Sequence, residues 1–177
     1  MTDEKEPLLQ TLPMKLNTGK LQVTLPSDCE ILVTRELAAP RALVYDAHTK
    51  PAMVKRWLFG PDGWSMPVCE IDLRVGGRYR YVWRNLANPS QEFASSGVFR
   101  EIVSGQKLVS TEAFEGEMNQ GEALNTLSFT EQKGKTLVSL LMRYPSKEVR
   151  DGAIASGMNE GIEMGYARLE SQLPAAT

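Results

Sequence analysis

At 177 residues, with 42% hydrophobic and 24% charged residues, the chain has the size and composition of one globular domain. A chain of this length buries roughly 70% of its unfolded surface and needs neither disulfide nor metal to hold a core. The net charge of −2 excludes a general attraction to phosphate backbones or anionic membranes, and no run approaches the roughly 20 apolar residues of a membrane span. Nucleic acid and membrane are therefore not expected partners.

The first 28 residues read as an N-terminal extension, disordered at its start and punctuated by Pro7, Pro13, Gly19 and Pro26. With Asp3, Glu4 and Glu6 it lacks the basic and apolar segments of a secretory leader. Residues 21–25 alternate and predict a short edge strand. Residues 29–37, β-branched and followed by Pro40, predict the first full strand. Cys29 and Cys69 lie far apart, outside any CxxC or Cys/His cluster, and read as buried free thiols of a cytoplasmic protein.

Pro40 and Pro51 each open a short predicted helix, the second carrying Met53, Val54, Trp57 and Leu58 at helical spacing. The two form an elbow near Thr49, closed by the turn Gly60-Pro61-Asp62-Gly63. His48 falls between them, in a solvent-facing or capping position.

From 64 to 144 the pattern is strand and turn. Residues 68–73 place Cys69, Ile71 and Leu73 on one face and Glu70 and Asp72 on the other, toward solvent. After the Gly76-Gly77 hairpin, Tyr79, Tyr81 and Trp83 alternate with Arg78, Arg80 and Arg84. Further strands are predicted over 93–102, 108–114, 122–131 and 136–144, separated by turns at Asn88-Pro89, Gly105, 116–121 and Lys133-Gly134. Successive strands without intervening helices make an antiparallel meander.

A final helix is predicted over 146–173, capped by Ser146, with Ile154, Met158, Ile162 and Leu169 on one face. Beside that stripe run Gly157, Gly161 and Gly165, each disfavoured in a helix interior by about 1 kcal/mol relative to alanine. Two readings stand together: the column lets another element approach closely, or it leaves volume for a ligand. A strongly twisted sheet curls, and a helix about 10 Å across does not fill its whole concave face.

The order Arg35…Ala39-Pro40…Val44-Tyr45-Asp46-Ala47…Thr49…Pro51…Trp57…Gly60-Pro61 resembles the opening of the family named after the activator of heat-shock-protein-90 ATPase homologue, a branch of the START-like, or SRPBCC, superfamily. So do Glu70-Ile71-Asp72-Leu73-Arg74-Val75-Gly76-Gly77-Arg78-Tyr79-Arg80, Gly97-Val98-Phe99-Arg100-Glu101-Ile102, Lys107-Leu108-Val109-Ser110-Thr111 and Gly134-Lys135-Thr136. Arg150-Asp151…Gly157-Met158-Asn159-Glu160-Gly161 with Leu169 completes a likeness over residues 29–172. The resemblance implies an α+β helix-grip fold (START-like, Bet v-like) over residues 29–173. It consists of a curved antiparallel sheet of about six or seven strands around a long C-terminal helix, with two short helices after the first strand. It also implies an apolar ligand cavity between sheet and helix. Lipid carriers, hormone receptors, polyketide cyclases and antibiotic self-resistance proteins share that superfamily. The co-chaperones behind the family name carry a further N-terminal domain, whereas about 28 residues precede the likeness here. Where many relatives have two tryptophans before Gly-Pro, this chain has Trp57-Leu58-Phe59.

No G-x-S-x-G, HExxH, P-loop or GxGxxG occurs, and there is a single histidine. No catalytic residue, metal ligand or cofactor is expected. The expected ligand pocket is lined by Trp57, Trp64, Met66, Tyr79, Tyr81, Trp83, Met158, Gly161, Ile162 and Gly165, with plain core as the competing reading of the aromatic strand. The expected partner is a hydrophobic or aromatic small molecule. Three further readings stay open: a cyclase- or hydrolase-like enzyme using the same pocket, a chaperone-ATPase regulator of the stress response, and a homodimer through a sheet edge or loop.

Overall fold

The structure, a computed structural model, describes residues 16–174. The predicted disorder at the start of the extension and the tail after residue 174 lie outside the described residues.

Eight antiparallel strands form one sheet in the order β1-β2-β8-β7-β6-β5-β4-β3. The strands are β1 (Gln22–Thr24), β2 (Glu30–Leu37), β3 (Trp64–Ile71), β4 (Arg78–Asn85), β5 (Glu92–Val103), β6 (Lys107–Phe114), β7 (Ala123–Gln132) and β8 (Lys135–Arg143). A single 3-10 turn, Gly116–Met118, lies between β6 and β7. Helices α1 (Arg41–Thr49) and α2 (Pro51–Val54) carry the chain from β2 to β3 on the far edge of the sheet. From there the meander returns strand by strand until β8 lies beside β2. The sheet has eight strands where the resemblance implies about six or seven; the edge strand predicted over 21–25 is β1, which pairs with β2, and Leu21 and Val23 are buried there.

Strand alternation decides which side chains turn inward. On β2 they are Ile31, Val33, Arg35 and Leu37, whose register partners on β8 are Met142, Leu140, Val138 and Thr136. On β4 they are Tyr79, Tyr81 and Trp83. The arginines between them face outward, where Arg80 pairs with Glu115 and Arg84 with Glu92. Glu70 and Asp72 are exposed, as expected. Leu73 is not inward as predicted: β3 ends at Ile71, and Leu73 stands exposed in the turn beyond it.

The predicted C-terminal helix is two helices. α3 (Lys147–Ala155) starts at Ser146, whose side chain accepts from the Val149 amide. α4 (Met158–Gln172) starts after Gly157, which has φ 85°. A left-handed residue cannot continue a right-handed helix, so glycine at this position breaks the rod and redirects it. α4 is then held to the sheet by Arg35, a buried guanidinium on β2 that bonds Glu163 at 3.1 Å and Glu170 at 2.6 Å. Arg168 holds the other side of α4, donating to the carbonyls of Trp57 (2.9 Å) and Gly60 (3.1 Å).

Candidate functional site

The buried apolar residues fall into two groups. The larger core joins Ile31, Val33, Phe129, Val138 and Met142 of the sheet to Val44, Tyr45 and Ala47 of α1 and to Ile154, Tyr166 and Leu169 of α3 and α4. The smaller joins Val54 of α2 to Met66 and Cys69 of β3 and Trp83 of β4. Between them in the sheet lie further inward positions of β5, β6 and β7, here termed the trough. On β6 these are Ser110, Glu112 and Phe114, in line with Leu108 of the larger core. Register sets Ser110 opposite Asn125 and Glu112 opposite Ala123 on β7, and Phe114 opposite Ser95 on β5. Tyr81, Ser110, Glu112, Phe114 and Asn125 all retain accessible surface although they face inward.

The trough has a polar floor. Burial pushes the Glu112 carboxyl above the ordinary carboxylate range, with the neighbouring Asn125 side chain acting the other way. Asn125 Oδ1 and Ser95 Oγ are buried with no hydrogen-bond partner among the described residues. Tyr79 donates to the Thr111 carbonyl at 2.7 Å. That bond requires Gly97, because a Cβ there would collide with the Thr111 carbonyl oxygen and crowd the Tyr79 ring. The Tyr144 hydroxyl lies 3.4 Å from the sulfur of Met158 and 3.6 Å from that of Met142. Burial raises the phenols of Tyr79, Tyr81 and Tyr144, and the nearby Glu112 charge adds to the effect in each.

The residues expected to line a pocket are distributed over both cores and the space between. Tyr79, Tyr81 and Trp83 follow one another along β4 on the inward face, and Trp83 stacks on Phe93 with centroids 4.9 Å apart. Met66 is buried in the smaller core, with Trp64 against it. Met158 and Ile162 pack on the edge of the larger core. Trp57 and Gly165 come together, but against each other: a Cβ on Gly165 would sit 3.4 Å from the Trp57 ring. Close packing is therefore the role of glycine at 165. Gly161 is exposed, and a Cβ added there would meet no atom within 4 Å, so the three glycines do not form one functional column.

His48 corrects another expectation. It lies within α1 and is enclosed by Trp57, Phe129 and Tyr166, with ring centroids 4.9, 5.1 and 5.7 Å away. Nδ1 donates to the Val44 carbonyl at 2.7 Å, which leaves Nε2 to accept from the Tyr166 hydroxyl at 3.2 Å. Burial pushes the imidazole down to about 4, so the ring is neutral at physiological pH. The Cys69 thiol is likewise pushed up to about 11 by burial.

Glu112, Ser110 and Asn125 are absent from the residues expected from sequence. The available signal was the alternation that aligns Glu112 with Leu108. Two recesses lie outside these positions. The recess between α1 and the end of α4, lined by Ala47, Met53 and Leu169, holds about 50 Å³, well below the roughly 300 Å³ of a small-molecule site. A recess of about 330 Å³ near the ends of β6 to β8 is open to solvent and is lined by Ala123 and Tyr144 as well as Thr111, Leu124 and Arg143. Among the described residues no His, Cys, Asp and Glu cluster could hold a metal ion, and no helix is long and apolar enough to cross a membrane.

Among solved structures, a protein from Rhodobacter sphaeroides matches with a TM-score of 0.80 at 27% identity, covering 87% of this chain and 97% of that one. A protein from Nitrosomonas europaea matches at 0.72 and 24%, covering 83% and 95%. The AHSA1-like protein from Aeromonas hydrophila shares the fold at 0.63 and 17%, covering 80% and 93%. No curated protein matches the chain in sequence. The family described as Activator of Hsp90 ATPase homolog 1-like protein matches residues 38–173. That span begins just after β2, runs through α4 and includes the smaller core and the trough, so the chain belongs to the Activator of Hsp90 ATPase homolog 1-like family.

Proposed function

We propose that the protein binds a small molecule with an apolar or aromatic body in the trough between the two cores, with no reaction assigned to it. The observation that carries this reading is the division of the core. A packed domain ordinarily closes one continuous interior, and its buried polar atoms find partners. Here inward side chains keep accessible surface, and two buried polar atoms on the same face, Ser95 Oγ and Asn125 Oδ1, lack partners among the described residues. Apolar walls with a few convergent polar groups are the usual form of a small-molecule site. In this reading Tyr79, Tyr81 and Trp83 with Phe114 form the aromatic wall, and Met158 and Ile162 of α4 form the pliable opposite side. Trp64 and Met66 support the β3 end. Trp57 and Gly165 act by packing α4 in place rather than by touching the ligand.

Native mass spectrometry and thermal shift against a panel of apolar and aromatic compounds test it. The expected result is a one-to-one adduct with a raised melting temperature, both lost in Ser110→Leu, which fills the trough. Absence of any adduct at millimolar ligand, or full binding by Ser110→Leu, rejects the proposal.

A further inference from the structure

We infer that the trough selects amphipathic amines, molecules with an apolar or aromatic body and one protonated nitrogen that Glu112 and Asn125 Oδ1 receive. The inference rests on the trough being the ligand site, and it concerns what that site recognises.

Of the trough's two unpartnered groups, Asn125 Oδ1 only accepts, and the Ser95 hydroxyl both donates and accepts. Asn125 stands beside Glu112, and its Oδ1 is buried with no partner among the described residues. Glu112 has no protein cation to balance it among the described residues. Inward positions of β4 are aromatic, and the arginines of that strand lie outward, Arg80 and Arg84 in pairs with Glu115 and Glu92. Lys107, on β6 itself, pairs with Glu101. Arg143, at the end of β8, is exposed and faces Glu30. Arg35, inward on β2, is held by Glu163 and Glu170; on the helices, Arg150 is held by the Ser27 carbonyl and Asp151, and Arg168 by backbone carbonyls.

A partly buried carboxyl without a counter-charge favours its neutral form or a cation brought to it. A ligand ammonium supplies the missing charge, gives Oδ1 its donor, and lies within an aromatic wall that favours cations. A ligand carboxylate would meet like charge at the same point.

The test compares 2-naphthylmethylamine, 2-naphthylmethanol, 2-acetylnaphthalene and 2-naphthoate by isothermal titration on the full chain. The amine is expected to bind at least about tenfold tighter than the alcohol, and naphthoate weakest. In Glu112→Gln the ratio of amine to alcohol affinity is expected to fall to near one. If the ketone or alcohol binds as tightly as the amine, Glu112 acts as a neutral donor or not at all, and the inference falls while the trough reading stands. An amine preference retained in Glu112→Gln overturns it in the same way. If none of the four probes binds, both readings fall together.

Discussion

The Tyr166 hydroxyl on α4 donates to Nε2 of His48 on α1 across 3.2 Å, inside a cluster where Trp57 stacks on Tyr166 at 5.4 Å and 21°. This polar contact sits in the interface that fixes α4, and it requires a neutral imidazole. The ring's folded value of about 4 lies below the ordinary 6.5, so the unfolded chain takes up a proton first on acidification. The contribution is complete above pH 6.5 and is lost as pH falls toward 4. It amounts to on the order of 3 kcal/mol at full value. Urea denaturation of the wild type and of His48→Leu, which cannot titrate there, is expected to show the wild type losing stability relative to the variant over that window. A constant difference from pH 7 to 4 would contradict the enclosed, neutral ring.

Arg35 is the second anchor of α4. Its guanidinium is 2% exposed and faces two carboxylates from one helix, Glu163 and Glu170, while Lys20 shares Glu170 from the exposed side. Removing one partner of a buried pair strands the other, at a cost of about 3–5 kcal/mol. Arg35→Ala is expected near the lower end of that range, because Glu163 and Glu170 regain water at the surface. Arg35→Met, which keeps the apolar stem, is expected to lose less. Chemical denaturation of the two variants checks the order.

The three glycines of the C-terminal region separate cleanly by mutation. Gly157→Ala forces a Cβ into the left-handed region and is expected to cost about 1–2 kcal/mol. Gly161→Ala, at an exposed position with nothing within 4 Å, is expected to stabilise by up to about 1 kcal/mol through helix propensity. Gly165→Leu must displace the Trp57 ring and is expected to destabilise most. Thermal melts of the three variants distinguish this order from a column with one shared role.

Much of the architecture was legible because it follows from local rules. Alternation identified Tyr79, Tyr81 and Trp83 as inward and Arg78, Arg80 and Arg84 as outward, and proline positions marked the starts of α1 and α2. Gly157 shares helical spacing with Gly161 and Gly165, and periodicity carries no information on the sign of φ. The burial of His48 depends on Phe129 and Tyr166, which are far away in sequence and arrive only with the tertiary fold, so local pattern places it at the surface. Glu112 escapes notice for a related reason. A lone charge in a strand ordinarily faces water, and the alternation that turns it inward begins with Leu108, whose burial the larger core determines.

Glu112 is therefore a residue whose inward placement opposes folding at neutral pH. Its carboxyl is held above its ordinary value by burial, so the folded state favours the protonated form. Below the unfolded value both states are protonated and nothing is lost. As pH rises through it, the unfolded chain releases the proton first and the native state loses stability until its own carboxyl ionises. Glu112→Gln removes that dependence while keeping the shape of the side chain. The variant is expected to match the wild type near pH 4 and to melt progressively higher as pH approaches 8. Sites that bind ligands commonly carry such a cost in stability. Melting curves at intervals of one pH step measure it, and a wild type as stable as the variant at pH 8 would show that the carboxyl is solvated after all.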